Sequence, residues 1–404
     1  MEQPAKYRIE SIDFLRGVVM ILMALDHARM YFGHGFFFAE PTSLDTTTPL
    51  LYLTRWVTHF CAPVFVFLTG TAAFLYGTRK ESIKEVSWFL FSRGIWLVLV
   101  EIIIVRFGWT FDITFSNITL QVIWAIGMSM IFLALLVFLP KWTILGIGVI
   151  IVFGHNILDY LVSPGYFNST GTAEMSVRDF IYCALHQPKL FVLAPNIVVY
   201  VAYPLVPWIG LIALGYVFGT LYQKDYDLDK RKRLLLMTGI GSILLFLILR
   251  AFNIYGDPQP WMPQKSFVFT IMSFFNITKY PVSLLYLLVT LGAASIFLYL
   301  TENVKNGITN FIVVFGRVPF FFYVIHIYLI HLLAFIGIAF ASRKASELIL
   351  TATAFDTRQL ANYGYDLWVV YLVWAVVIAL LYPVCRWYSR YKANNRGKRW
   401  LSYL

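Results

Sequence analysis

The sequence predicts an all-α polytopic membrane protein, about ten transmembrane helices in one bundle with both termini cytoplasmic. Three observations predict it. Of 404 residues, 59% are hydrophobic and only 13% are charged, with a mean hydropathy of +0.72. A soluble domain of that length needs far more charge to cover its surface. Apolar runs of about 20 residues recur along the chain, the length that crosses a bilayer. Lys and Arg gather in short segments between those runs, which is how topology is set.

Taken in order, the spans are expected at roughly 11–33, 51–76, 86–106, 119–139, 142–162, 197–222, 233–252, 278–300, 308–341 and 366–388. The ninth is too long for one straight crossing. It reads either as a short piece before Pro319 followed by a full helix, or as one tilted helix. Basic segments at Lys6 and Arg8, at Arg79 to Lys84, at Lys141, at Lys224 to Arg233, at Lys305 and in the tail from about 386 assign one side as cytoplasmic. The longer loops 34–50, 163–196, 253–277 and 342–365 then fall outside. Residues 1–404 read as a single transmembrane domain with a basic cytoplasmic tail. The first span is too long for a cleavable signal and has no small-residue cleavage site after it.

The formal charge of +11 does not point to nucleic acid, because no sizeable soluble segment carries a basic stripe interleaved with aromatics. Cys61, Cys183 and Cys385 form no CxxC and no metal spacing. Trp109, Phe111, Tyr166, Phe167, Trp261 and Tyr363 flank outer loops; interfacial anchoring is the first reading and sugar stacking the second. Asn-x-Ser/Thr triplets at Asn117, Asn168 and Asn276 read as chance occurrences of a short motif.

Chemistry is expected where ionisable residues enter the apolar layer. At 1.5 Å per helical residue, His27 lies roughly 24 Å above the inner edge and His59 roughly 12 Å below the outer one; His326 lies roughly 27 Å up if its span is straight. Three histidines from distant sequence thus reach the outer half of the bilayer. Neutral imidazole is cheap to bury and takes and returns a proton near neutrality. The bland reading of each is a histidine bonded to a neighbouring helix; three at one depth favour function. Asp26 follows the same level but points about 100° from His27, so it pairs more readily with Arg29 at i+3. Asp13 and Arg16 are also i,i+3, near the inner end. Arg16, together with Arg93 and Arg317, offers cations for a phosphate-bearing ligand, while Asp13 suits the helix dipole; snorkelling is the bland alternative. Glu101 sits deep in the third span, followed by Gln121 and Trp124 at the start of the fourth. His326 and His331 are five apart, a near miss for a metal pair, and no metal is expected.

The stretches RIESIDFLRGVVMILMALDH, THFCAPVFVFLTG and FGRVPFFFYVIHIYLIH, in this order and spacing, are similar to the heparan-α-glucosaminide N-acetyltransferase family, especially its shorter bacterial members. The resemblance covers essentially the whole membrane part. It implies a transmembrane acyltransferase that takes acetyl from cytosolic acetyl-CoA and delivers it to the amine of a terminal glucosamine on the far side. It implies His326 as the family's late-helix histidine and His34 as the nearest residue to the histidine of the loop after span 1. Acetyl-CoA as co-substrate, an amino sugar or glycan as acceptor, and the bilayer are the expected partners, with no nucleic acid. Oligomeric state is left open, a homodimer included, and the expected location is a bacterial inner membrane.

Combined, the residues give His27, His59, His326 and Asp26 as catalytic candidates and Arg16, Arg93, Arg317 and Asp13 as co-substrate candidates. A proton-coupled transporter of small solutes is the rival class, since intramembrane Asp, Glu and His also suit a proton relay, although no inverted repeat is seen. An acyltransferase acting on an envelope glycolipid is a further alternative with the same chemistry.

Overall fold

The computed structural model describes residues 9–160, 177–395, 397–398 and 401. Lys6, Arg8, Tyr166, Phe167 and Asn168 lie outside the described residues. In chain order the elements are α1 (Glu10–Phe32), α2 (Pro49–Gly77), α3 (Ile83–Thr110), β1 (Asn117–Leu120), α4 (Val122–Leu136) and α5 (Lys141–Tyr160). Then come α6 (Val177–Leu185), β2 (Lys189–Ala194), β3 (Ile197–Val201), α7 (Val206–Tyr222), α8 (Leu228–Phe252) and α9 (Phe267–Phe275). The chain closes with α10 (Leu284–Thr301), α11 (Gly307–Arg317), α12 (Pro319–Phe340) and α13 (Leu367–Asn394).

The fold is an all-α polytopic membrane bundle. Among the described residues, α2, α3, α5, α8, α10, α12 and α13 are long and apolar enough to cross a bilayer, while α4, α7 and α11 are shorter apolar helices. Large apolar side chains such as Trp142, Phe340 and Ile150 stand 81%, 82% and 73% exposed on the outer faces, where lipid rather than water suits them. Helix starts follow local chemistry. Thr48 accepts the Leu51 N–H ahead of Pro49, Asp227 accepts the Lys230 N–H, and Asn306 and Thr309 form a capping box.

At the centre stands α1, packed by α2, α10, α11, α12 and α13. Two glycines set its closest contact. A Cβ on Gly17 would lie 2.2 Å from the Ile312 carbonyl oxygen, and one on Gly316 would lie 1.8 Å from that of Asp13. The same device joins α2 to α7, where Cβ atoms on Gly70 and Gly215 would meet the Ile212 and Phe67 carbonyls at 2.1 and 2.0 Å. Without a hydrophobic drive between helices in lipid, such close backbone approach is a main source of packing energy.

One open alternative is decided and two expectations need adjustment. The ninth span is two helices, α11 and α12, broken at Val318 ahead of Pro319, whose missing N–H ends one helix and suits the first turn of the next. The span expected at 197–222 is helical only from Val206, and the one expected at 119–139 only from Val122. Both begin as strands: β3 pairs in parallel with β1 and antiparallel with β2, in the order β1-β3-β2. The β-branched run Ile197-Val198-Val199 after a Pro195-Asn196 turn favours the strand over apolar helix. Asn117 is buried in β1, and the Asn276 side chain donates to the Thr42 carbonyl, so both triplet asparagines are structural.

Candidate functional site: two cavities on one helix face

One face of α1 lines two cavities in succession. Ile12, Arg16 and Met20 face the first; Met23, His27 and Met30 face the second. The spacing of three and four is that of a single helix stripe, and from Ile12 to Met30 it runs about 27 Å. Along α2 the same pattern holds in the opposite sense, from Thr58 and Ala62 through Phe65 to Leu68 and Ala72, with Arg79 just past the helix end. The cavities therefore sit end to end along the bundle.

The first, of about 540 Å³, brings together Asp13, Arg16, Arg93 and Arg317, with Arg79 and Lys392 beside them. All four residues expected at the inner end meet here. Arg16 donates to the Asp13 carboxylate at 3.1 Å, the i,i+3 pair expected from the sequence. This basic cavity suits a ligand with several phosphates, because guanidinium and phosphate match in charge and geometry.

The second, of about 640 Å³, is lined by Asp26, His27, His59 and Trp109 and roofed by residues 39–43 and 276–280. Asp26 accepts from Arg29 at 3.0 and 3.2 Å and from Arg55 at 2.6 Å. It thus ties α1 to α2 and, as its direction on the helix required, makes no hydrogen bond to His27. His59 lines this cavity with its backbone carbonyl held by the Tyr286 hydroxyl at 2.5 Å.

His326 lines neither cavity. It lies fully buried behind His27, its Nε2 2.7 Å from His27 Nδ1 and its Nδ1 3.0 Å from the Phe322 carbonyl. A carbonyl only accepts, so His326 Nδ1 carries the proton and its Nε2 is the acceptor. His27 Nδ1–H then donates to it, which leaves the His27 Nε2 lone pair unprotonated. A base oriented by a second group in this way is the arrangement that proton abstraction from an incoming nucleophile requires. The indole of Trp109, expected as an interfacial anchor, packs edge-on to His27 at 4.6 Å between centroids instead. His34 lines neither cavity and pairs at 3.0 Å with exposed Asp366. His331 is held between the Gly108 and Leu348 carbonyls at 2.9 and 3.0 Å and is structural. Among the described residues no group of three His, Cys, Asp or Glu could hold a metal ion.

Sequence reasoning missed Arg55, Lys279 and Tyr323 as lining residues and gave Trp109 a site role only as a second reading. Arg55 was legible, being an arginine four residues from His59 in an apolar span. Lys279 was not, because a loop lysine carries no depth signal.

Glu101 lines neither cavity. Its Oε2 accepts the Trp124 N–H at 3.0 Å, so a carboxylate from α3 caps the first turn of α4, whose own Gln121 makes no side-chain cap. Replacing Glu101 by Leu should lower stability by about 1–3 kcal/mol, because the cap is lost and a buried N–H is orphaned. Glu101→Gln, which keeps an acceptor oxygen, should unfold near the wild-type temperature in detergent. An equal loss in both would assign the effect to charge and not to capping.

The family profile described as heparan-alpha-glucosaminide N-acetyltransferase, catalytic, matches residues 8–255. The chain belongs to that family. No curated protein matches it. As a member of the heparan-alpha-glucosaminide N-acetyltransferase family it is an enzyme, a transmembrane N-acetyltransferase, and the transporter alternative gives way. The matched stretch carries Asp13, Arg16, Asp26, His27, His59 and Arg93 and ends before α10, so Arg317 and His326 join the site through the fold.

Proposed function

We propose that this protein moves an acetyl group from cytosolic acetyl-CoA to the amine of a terminal amino sugar on the opposite side of a bacterial inner membrane. The observation that carries the proposal is the meeting of two chemically unlike cavities on one face of α1, basic at one end and histidine-lined at the other. Arg16, Arg93 and Arg317 hold the phosphates of the co-substrate, and Asp13 fixes Arg16. The thioester carbon is what acetyl-CoA supplies to the reaction. At the junction of the cavities the amine nitrogen attacks that carbon, the carbon–sulfur bond breaks, and the sulfur leaves with the electron pair. His27 Nε2 takes the amine proton, and His326 Nε2 steadies the resulting imidazolium by accepting from His27 Nδ1–H. Asp26 holds the α1 and α2 walls together, and His59 orients the acceptor. His27 Nε2 serves equally as a transient acyl carrier. Labelled acetyl-CoA supplied without acceptor separates the routes, since label that survives denaturation marks the covalent one.

The test is CoA release by purified protein given acetyl-CoA and a panel of amino sugars, glucosamine first. Absence of release with every member would sink the amino-sugar assignment. Within that assay, Arg16→Ala and Arg317→Ala should each raise KM for acetyl-CoA roughly 10- to 100-fold with kcat changed less, the signature of lost charge-assisted contacts to a remote part of the ligand. A fall in kcat at constant KM would move these arginines from donor binding to the reacting centre.

A further inference from the structure

The two cavities share three lining residues, Phe65 from α2, Val122 at the start of α4 and Tyr323 from α12. On α1 the boundary falls between Met20, which faces the basic cavity, and Met23, which faces the histidine cavity. Four helices therefore meet at the level where the two cavities adjoin. Phe65 is partly exposed, whereas its neighbours Val64 and Val66 are 1% and 0% exposed, and it borders both cavities. Val122 and Tyr323 are held at 9% and 4%. Their backbones are fixed: Val122 begins α4, whose first turn Glu101 caps, and Tyr323 lies one turn into α12 beyond the Pro319 start.

We propose that Phe65, Val122 and Tyr323 form an acyl-length filter, an aperture through which the acyl group of a CoA thioester projects from the basic cavity to His27. The inference rests on the acyl-CoA reading of the basic cavity and goes beyond it. A short acyl chain reaches past the Phe65 ring; each added methylene must displace a ring or a branched side chain fixed by its helix. Discrimination of one methylene in an apolar pocket is worth roughly 10- to 200-fold in kcat/KM. The filter is thus a specificity element distinct from the arginines, which see only the nucleotide end, and from His27, which sees only the carbonyl.

The experiment compares acetyl-, propionyl- and butyryl-CoA as donors for full-length protein in detergent, with CoA release as the readout and glucosamine or water as acceptor. The wild type should prefer acetyl-CoA, and Phe65→Ala should raise the butyryl-to-acetyl ratio of kcat/KM by at least about 10-fold. Val122→Ala, a smaller excision, should raise it in the same direction and stands in if Phe65→Ala does not fold. Leu68→Ala, one turn away on the same stripe but facing only the basic cavity, should leave the ratio at the wild-type value. An unchanged ratio in Phe65→Ala and Val122→Ala, an equal rise in Leu68→Ala, or a wild type indifferent to chain length each overturns the filter while the acyl-CoA reading stands. A wild type that consumes none of the three thioesters overturns that reading, and the filter with it.

Discussion

Replacing His27 by Ala should cut acetyl transfer by at least about 100-fold while acetyl-CoA binding stays at the wild-type level. General-base catalysis by a positioned side chain is worth about 10²- to 10⁴-fold, and His27 is the lining imidazole whose free nitrogen is set by a partner behind it. The residue is separated from the basic cavity by the Phe65 level, so the affinity for the nucleotide end has no reason to change. His326→Ala should produce a smaller loss, because His27 keeps its place on α1 but is freed to adopt either tautomer. Calorimetric titration with CoA alongside turnover measures both quantities. Loss of CoA binding in a folded His27→Ala protein would put the imidazole at the donor end and refute its assignment as the acceptor-side base.

Gly316→Ala should destabilise the bundle by at least about 1–3 kcal/mol, the usual cost of overpacking, and disable the basic cavity together with it. The added carbon would stand 1.8 Å from the Asp13 carbonyl oxygen and 2.8 Å from the Gly17 nitrogen. Both are backbone atoms, so no rotamer relieves the clash, and α1 and α11 must separate. Arg16 and Arg317 are sequence neighbours of the contacting residues and both line the basic cavity. Gly146→Ala, where an added Cβ meets nothing within 4 Å, is the control and should leave stability unchanged within about 0.5 kcal/mol. Thermal unfolding in one detergent compares the two, and equal melting temperatures would show that the helices tolerate separation there.

The split of the site into two ends was legible because charge inside an apolar helix stands out against its neighbours. Asp13, Arg16, Arg93 and Arg317 were grouped by level alone, and they do meet. Asp26, His27 and His59 were grouped the same way and also meet. His326 shows the limit of depth as a guide: it reaches the right level yet faces His27 instead of the cavity, a matter of rotation about α12 that a break at Val318 alters and that length cannot reveal. Tyr323 was hidden, and Trp109 stayed one of several outer aromatics, because aromatics are common throughout the chain and only packing distinguishes one that touches His27. The small sheet was hidden because an apolar window does not separate a β-branched strand from the start of a membrane helix.

The charges of α1 also bear on how the protein is made. Asp and Arg each cost about 2.5–3.5 kcal/mol at the centre of an inserting helix and less towards its ends, and α1 carries Asp13, Arg16, Asp26 and Arg29 besides Glu10. It is absent from the helices apolar enough to cross a membrane by composition. The internal pairs of Asp13 with Arg16 and Asp26 with Arg29 lower that cost, but Asp26 still holds a further bond for Arg55 of the next helix to emerge. The helix most occupied with chemistry is therefore a reluctant guest in lipid, and its stable residence waits on the arrival of α2 and, much later in synthesis, of α11.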